Sequence, residues 1–284
     1  MNIRNFKTKK ENPFIDTSLC VSDETSHSQE RNQLWWERKP MTYANWEAND
    51  RTPKTLENFL DVEKYMFANS PFFREEYDFS SKGGKTVLDI GCGTGGFSCC
   101  FAKMGAIVSS LDLTDAGVKL TALNAQLRKL NLSVVQADTE NLPLQDSSFD
   151  YIFSWGVLHH TSNMAKAFFE VGRVLKSGGT GIIMVYHKNS IVYYLHGLFW
   201  LIFKGKLFSG ETLSSVQRFY TDGFYHRYLR EEEIIEMLIN VGLTPVRCFS
   251  TQYQKKILPI IPRWLDKWLK ARFGMCLVAE FKKR

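Results

Sequence analysis

The chain has 284 residues, 44% of them hydrophobic and 23% charged, which suits one large globular domain, or a domain with additions, and excludes a disordered protein. Its six cysteines form no C-x-x-C pair and have no histidine at metal-ligand spacing, which favours reduced thiols in a cytoplasmic protein without a metal site. The net charge of +6 is concentrated in residues 252–284, where nine basic side chains stand against two acidic ones, so we expect no nucleic-acid channel through the nearly neutral remainder.

The N-terminal part of the chain changes character at about residue 30. Residues 1–30 are polar and lack hydrophobic periodicity, which predicts a flexible arm, and no apolar run typical of a signal peptide follows its basic residues. Residues 31–80 combine many aromatic side chains with the apolar stripe of a helix over 56–67. The aromatic residues are Trp35, Trp36, Tyr43 and Trp46. This segment is either pinned to the outside of the fold or is a lid over a binding site.

A glycine-rich stretch follows and organises the rest of the chain. Residues 86–90 are apolar or β-branched except for Asp89, which predicts a buried strand. Four glycines come next and permit a tight turn without side chains, before a helix that starts near Phe97. They are Gly91, Gly93, Gly95 and Gly96. A strand, a bare turn and a helix N-terminus together form a nucleotide-type binding corner.

The acidic residues decide between ligands for this corner. Gly91, Gly93 and Gly96 alone also fit the G-x-G-x-x-G fingerprint of dinucleotide binders. Asp89, however, would repel a pyrophosphate and attract an ammonium group, such as that of S-adenosylmethionine (SAM), which carries no phosphate. Asp112 lies at the end of the next predicted strand, 21 residues after Gly91, where a ribose-hydroxyl acceptor is usual.

Strands and helices alternate through the middle of the chain, which predicts a parallel sheet with helices on both faces. The predicted strands are 86–90, 106–113, 132–137, 149–155, 180–186, 243–251 and 275–281. The predicted helices between them are 97–104, one that opens at Thr114, 163–175 and 231–241. The third strand ends in Asp138, a third acid at the same edge of the sheet.

Four segments in this order resemble the successive motifs of the class I SAM-dependent methyltransferases, over roughly residues 85–187. They are residues 87–95, 111–113, 137–138 and 149–152. The resemblance implies an α/β fold with a Rossmann-like, doubly wound, mostly parallel seven-stranded sheet. It also implies helices on both faces, an antiparallel last strand and cap helices in the N- and C-terminal parts. Within the family, residues 141–150, 156–160 and 173–179 are similar to the quinone-type and small-metabolite methyltransferases.

The resemblance also implies a cofactor site for SAM. Asp89 receives the ammonium group, Asp112 the ribose hydroxyls and Asp138 the adenine amino group. Backbone at the glycines approaches the cofactor, and neighbouring side chains flank its adenine and methionine parts. The implied cofactor-binding residues are Asp89, Gly91, Cys92, Gly93, Gly95, Asp112, Leu113, Asp138, Thr139 and Trp155.

Candidates for the methyl acceptor come from the strand ends on the same rim. His160, or its neighbour His159, either orients the acceptor and takes its proton or holds the loop by hydrogen bonds. Aromatic and histidine side chains could line the acceptor pocket. They are Tyr43, Trp46, Tyr186, His187, Tyr193 and Tyr194. Whether oxygen, nitrogen or carbon accepts the methyl group stays open.

The remaining segments are predicted to complete the site around a core of residues 81–190. Residues 191–230 form a substrate cap that begins with the strongly apolar 191–203, too short for the roughly 20 residues that cross a bilayer. Residues 231–284 hold the last helix and two final strands, with an insertion over 254–274 that carries tryptophans and basic residues. This insertion is a helix packed on the sheet edge, a dimer contact, or a peripheral contact with a membrane surface.

Together these observations predict a SAM-dependent methyltransferase, a monomer or a homodimer, that modifies a small-molecule or lipid-like acceptor and releases S-adenosylhomocysteine. Two alternatives remain. One is a SAM-binding regulatory or assembly protein without turnover. The other is an NAD-dependent oxidoreductase, which would need further parallel strand–helix units after the fifth strand.

Overall fold

The computed structural model describes residues 29–43, 46, 49, 51–220, 226–251 and 262–284. The predicted flexible arm therefore lies almost wholly outside the described residues, as does the first part of the insertion over 254–274. The limits predicted for the arm, the lid segment, the core and the cap stay predictions.

Ten α-helices are found in the described part of the chain. They are α1 Gln29–Arg38, α2 Leu56–Asn69, α3 Phe72–Glu75, α4 Gly96–Lys103, α5 Asp115–Leu127, α6 Met164–Val174, α7 Ile191–Leu198, α8 Leu213–Tyr220, α9 Glu231–Asn240 and α10 Arg263–Phe273. A π-helical turn, Phe199–Phe203, continues α7, and short 3-10 turns cover Ser80–Lys82, Leu158–His160 and Lys206–Ser209.

Eight strands join in one sheet in the same part of the chain. They are β1 Thr86–Ile90, β2 Ile107–Asp112, β3 Ser133–Gln136, β4 Phe149–Trp155, β5 Leu175–His187, β6 Tyr228–Leu229, β7 Leu243–Thr251 and β8 Cys276–Lys283. The order across the sheet is β3-β2-β1-β4-β5-β8-β7, and β6 adds a two-residue parallel pairing at the end of β5. The first five strands are parallel, and β8 runs antiparallel to both of its neighbours. The predicted Rossmann-like fold is confirmed.

Side chains of the central strands alternate between two cores. Leu88, Ile152 and Ile183 point to one face, where they pack with residues of α6 and α9. Their neighbours in sequence point to the other face and pack against α4 and the phenylalanines of α3. Each central strand is buried on both faces, which explains why most of its residues are apolar.

The structure differs from the predicted elements at β5. We expected Ser177-Gly178-Gly179 to separate a helix from a strand over 180–186, but the strand already begins at Leu175, opposite Phe149. The pairing shifts register between Phe149 and Tyr151, and Gly178 adopts a φ of 78° within the irregular stretch. The glycines therefore form a bulge in the strand rather than a break before it.

The parallel strands place the functional residues at one edge. The C-terminal ends of β1, β2, β4 and β5 meet there, with Asp112 as the last residue of β2 and Trp155 as the last of β4. We call this edge the rim. In open α/β sheets, ligands bind outside the carboxyl ends of the strands. Among the described residues, no helix is long and apolar enough to cross a membrane.

Candidate active site

The turn between β1 and α4 needs glycine for two reasons. One glycine packs too closely for a side chain, and another faces an open space. Gly91 has a φ of 76°, and a side chain there would collide with Val157. Gly93 has a φ of 54° and no atom within 4 Å of the place where its Cβ would stand. Gly91 and Gly93 both line the cleft at the rim, so a ligand can approach the backbone of Gly93 directly.

Asp89 lies in β1, directly before the turn, and lines the same cleft. It is buried and accepts a hydrogen bond from Ser98 Oγ of α4, which itself accepts one from Ser110 Oγ of β2 at 2.8 Å. Burial raises the pKa of Asp89 to about 7, although the bond from Ser98 acts in the opposite direction. A cationic group that enters the cleft would restore the charge of this carboxylate.

Asp112 is fixed in place by protein donors to both of its oxygens. Oδ1 accepts from the backbone N–H and the hydroxyl of Thr114, at 2.9 and 2.7 Å, and Oδ2 accepts from Gly93 N–H at 2.9 Å. A Cβ at Gly117 would stand 2.5 Å from the carboxyl carbon, so only glycine leaves room for it. Burial raises the pKa of Asp112, and the bonds from Thr114 partly offset this.

Helix α1 lies over the rim and is attached to it along one side. Gln29 donates to Asp138 Oδ1 at 2.7 Å, Gln33 donates to the carbonyl of Leu113 at 3.0 Å, and Glu37 accepts from Ala116 N–H at 3.1 Å. Glutamines and a glutamate four residues apart share one face of a helix, so the three bonds form one row. Other residues of α1, Asn32 and Trp36, line the cleft itself.

The cleft also has an apolar and aromatic wall. It is formed by Tyr43, Met66, Phe97, Phe153, Trp155, Met184 and Tyr186. Trp155 stacks on Phe72, with ring centroids 6.0 Å apart and planes at 4°. Among the described lining residues, Asp89 and Asp112 are the only acidic ones, and none is Lys or Arg.

His160 also lines the cleft and meets the Trp36 ring edge-on, with centroids 5.0 Å apart. His159 points elsewhere. It is fully buried against the Tyr186 ring, and neither of its nitrogens has a hydrogen-bond partner among the described residues. Burial holds the pKa of His159 well below its usual range, so this ring is neutral.

The comparisons with known proteins agree with this geometry. Residues 88–183 match the family model described as a methyltransferase domain. The matched residues include the glycine turn, Asp89 and Asp112. The chain belongs to the class I SAM-dependent methyltransferases.

A solved SAM-dependent methyltransferase from Mesorhizobium loti shares the fold, with a TM-score of 0.55 and 20% identity over 76% of this chain and 98% of that one. In sequence, the chain is 37% identical over 99 residues to the phthiotriol/phenolphthiotriol dimycocerosates methyltransferase of Mycobacterium tuberculosis, covering 34% of this chain and 36% of that protein. It is 30% identical over 110 residues to the ubiquinone biosynthesis O-methyltransferase of Coxiella burnetii, 39% of this chain and 47% of that protein. The chain thus spans under half the length of these two relatives.

The methyltransferase cleft brings together most of the residues that the sequence assigned to the cofactor. Cys92, Leu113, Thr139 and Trp155 line it beside the two acids. Asp138 and Gly95 do not, in the described part of the structure. Asp138 Oδ1 accepts from Gln29 and from Glu140 N–H, and a Cβ at Gly95 would stand 2.9 Å from Thr121. Gly95 therefore serves the packing of α4 against α5.

The acceptor candidates are dispersed. Tyr43 and Tyr186 line the methyltransferase cleft, but the other four do not among the described lining residues. Trp46 donates to Asp61 at 2.9 Å, and His187 is buried with Nδ1 at 3.0 Å from the carbonyl of Gly274. Tyr193 lines a separate cavity beside α9, and Tyr194 is exposed. A residue's position near the end of a strand therefore did not predict whether its side chain faces the cleft.

Sequence reasoning missed two groups of residues. Ser98 and Ser110 extend from Asp89 as a buried hydrogen-bonded row, and Ser98 is a hydroxyl residue in the otherwise apolar first turns of α4, which could have indicated it. Gln29 and Asn32 enter the cleft from α1, more than 50 residues before the glycine turn, beside Trp36, whose segment the sequence left open as a lid or as a segment pinned to the outside of the fold. Their side chains carry no local pattern that identifies a ligand contact.

Proposed function

We propose that this protein transfers a methyl group from SAM to a small-molecule or lipid-like acceptor by in-line displacement. The observation that carries the proposal is the continuity of one cleft. The glycine turn with Asp89 and Asp112 forms one wall, and the aromatic side chains with His160 form the other. A methyl donor and an apolar acceptor can therefore lie side by side in it.

The residues present fit the cofactor of the family. Asp89 is a buried carboxylate with a raised pKa, suited to an ammonium group, and Asp112 is held rigidly where ribose hydroxyls could donate to it. The backbone at Gly93 is open to the cleft. When bound, SAM supplies a methyl group on a positively charged sulfur, a leaving group that needs no acid. The resemblance further assigns Asp138 to the adenine amino group, with Leu113 and Thr139 beside the ring.

The chain's own residues would act mainly by positioning and by excluding water. Trp155, Phe153 and Met184 close one side of the cleft, and α1 covers another. Holding the acceptor within attack distance in such a site can supply most of the rate acceleration. We assign Tyr43 and Tyr186 to the binding of the acceptor. The electron-rich faces of their rings can also stabilise a sulfonium.

His160 is the better of the two histidine candidates because it reaches the cleft. It would orient a hydroxyl or amine acceptor and receive its proton where one must be lost. His159 is buried behind it, and we propose that it supports the position of His160, with ring centroids 4.2 Å apart.

The charge of the cleft limits the acceptor. A phosphate group on the acceptor would meet two acids and no lysine or arginine among the described lining residues, so burial would leave its charge unpaired. An uncharged acceptor with a large apolar part is favoured. The two relatives, a phthiotriol/phenolphthiotriol dimycocerosates methyltransferase and a ubiquinone biosynthesis O-methyltransferase, carry names that are in accord with such a molecule.

The test begins with calorimetric titration of the protein with SAM, S-adenosylhomocysteine and, as a control, NAD. We expect micromolar binding of the first two and none of NAD. The protein is then incubated with isotopically methyl-labelled SAM and, separately, with the lipid and the water-soluble fractions of a cell extract. Label recovered in a lipid or small metabolite supports the proposal. SAM binding without any labelled product would instead favour a SAM-binding protein without turnover, and binding of NAD alone would refute both.

A further inference from the structure

The cap segment after β5 is apolar on both sides, but only one side is covered. On the inner side, Leu201 is buried with Val216 of α8, and a side chain at Gly197 would collide with Leu213. On the outer side, apolar residues are exposed to solvent. They are Tyr194, Leu195, Leu198, Phe199, Ile202 and Phe203, and we call them the outer cap face. A helix that is apolar all round is normally buried in protein or lipid.

The backbone keeps these residues on one stripe. They recur as adjacent pairs four residues apart, a spacing that would drift around a regular α-helix of 3.6 residues per turn. The wider π-helical turn at Phe199–Phe203, in which Lys204 N–H donates to the carbonyl of Phe199 at 3.3 Å, offsets that drift. Two further side chains extend the stripe, Leu207 and Phe208, and Phe208 is 91% exposed. Continuous exposed apolar surface of this kind marks an interaction site.

The charges beside the stripe indicate what it contacts. From residue 188 to residue 210 the chain has three lysines and no aspartate or glutamate, and Lys204 lies over the Phe199 ring at 5.9 Å. A symmetric contact with a second copy would bring this basic segment against itself, with Glu211 as the nearest acidic residue in sequence. An anionic lipid surface offers both an apolar interior for the phenyl groups and negative head groups for the lysines.

A second element with the same composition leaves the same edge of the sheet. Helix α10 exposes Trp264 and Trp268 together with the basic Lys267 and Arg272. Its end is attached to the end of β5, because His187 N–H donates to the carbonyl of Met275 at 2.8 Å. The cap segment starts only three residues after His187.

The outer cap face is also connected to the acceptor end of the cleft. Tyr193, on the inner side of α7, contacts the Tyr228 ring with centroids 4.8 Å apart. Tyr228 contacts Tyr186 at 5.5 Å, and Tyr186 lines the cleft. A row of three aromatic rings, Tyr193, Tyr228 and Tyr186, therefore leads from α7 to the cleft.

We infer that the outer cap face, with the exposed side of α10, docks this protein on an anionic lipid bilayer with the rim towards the membrane. The acceptor is then an amphiphile taken directly from that bilayer. This second clause rests on the proposed function, whereas the docking itself does not.

The test is co-sedimentation of the full chain with vesicles of phosphatidylglycerol and phosphatidylcholine, or of phosphatidylcholine alone, at low salt. We expect binding to the anionic vesicles that falls at least tenfold in Phe203→Asp/Phe208→Asp. The matched control is Phe169→Asp, which changes another exposed phenylalanine, on α6, and should bind as the unaltered protein does. Lys204→Glu/Lys206→Glu, outside the apolar stripe, should remove the preference for anionic lipid.

Three results would overturn the docking: no binding of the unaltered protein, equal binding of the Phe203/Phe208 and Phe169 variants, or a lipid-free dimer that the Phe203/Phe208 pair abolishes. Titration of every variant with SAM shows that it is folded. It also separates the two proposals, because an unaltered protein that binds SAM but no vesicles rejects the docking alone. Absent SAM binding with intact vesicle binding rejects the proposed function alone.

Discussion

Two regions differ in how far their side chains have partners: the wall of the cleft formed by the glycine turn with Asp89 and Asp112 (the glycine-turn wall), and the cap segment after β5. On the wall, both oxygens of Asp112 and the hydroxyls of Ser98 and Ser110 have partners, and the flanking strands are buried on both faces. In the cap, a small inner cluster around Leu201 and Val216 holds a segment whose outer side chains are exposed. The polar side chains of the first region are paired within the protein, whereas the second region has an exposed apolar surface that another molecule could cover.

This difference implies that the two regions contribute unequally to folding. Removing methylene groups from a large core leaves a cavity that the surrounding strands cannot close, but a two-residue cluster at the surface can relax. We expect Ile183→Ala, in the sheet core, to lower the free energy of unfolding by about 3 kcal/mol. Leu201→Ala should lower it by less than about 1 kcal/mol.

Urea denaturation followed by circular dichroism measures both changes, and limited proteolysis should show new cleavage within 191–220 only in the Leu201 variant. If the two variants lost equal stability, the cap would belong to the same cooperative unit as the sheet, and the contrast between the regions would fail.

The carboxylate of Asp112 provides the next largest effect. In Asp112→Ala, the N–H groups of Gly93 and Thr114 lose their acceptor and a bound ribose loses a charged one. We expect the affinity for SAM to fall roughly a hundredfold, which corresponds to about 2–3 kcal/mol. Calorimetry measures this, with the exposed Asp146→Ala as the matched control. Similar affinities in the two variants would place the cofactor elsewhere.

The raised pKa of Asp89 makes cofactor binding dependent on pH. The ammonium group of SAM requires an ionised carboxylate, and the ionised fraction of Asp89 falls as the pH drops through its pKa of about 7. Between pH 7.5 and 5.5 we expect the affinity for SAM to fall roughly twentyfold.

Titrations at several pH values, in buffers of different ionisation enthalpy, should show that binding releases a proton at the acidic end. Asp89→Asn should bind more weakly with a flatter profile, since Asp112 remains as a second carboxyl with a raised pKa. An unchanged pH profile in this variant would exclude the pairing of Asp89 with the ammonium group.

The smallest effect on cofactor binding is expected at Asn32 of α1, the helix that lies over the rim and that we call the lid. Its side chain is buried at the cleft, and its Oδ1 has no partner among the described residues. A ligand donor there would gain one neutral hydrogen bond, so Asn32→Ala should weaken SAM binding about fivefold, or about 1 kcal/mol. Asn58→Ala, on α2, is a control of the same residue type. Unchanged affinity in Asn32→Ala would show that the lid contributes no direct contact.

The sequence predicted the fold, and which residues meet at the glycine turn, because both depend on local patterns. β1, the glycine turn and the start of α4 occupy consecutive residues, and β4 and β7 have the predicted bounds. The acceptor side is assembled from α1, β4 and β5, whose residues are far apart in the chain. Which of its aromatic residues faces the cleft depends on the packing of these elements, so Tyr186 could not be distinguished from Tyr193 beforehand.

The row of bonds along α1 has a consequence for the timing of the reaction. Gln29, Gln33 and Glu37 bond to three separate parts of the rim, so we expect the helix to detach as one piece when a spent cofactor leaves. Repeated turnover would then run at the pace of this departure rather than at that of methyl transfer. Glu37→Ala should raise the steady-state rate and leave the single-turnover rate unchanged, as rapid-quench kinetics can show. Weaker attachment of α1 to the rim would then increase the steady-state rate of the enzyme.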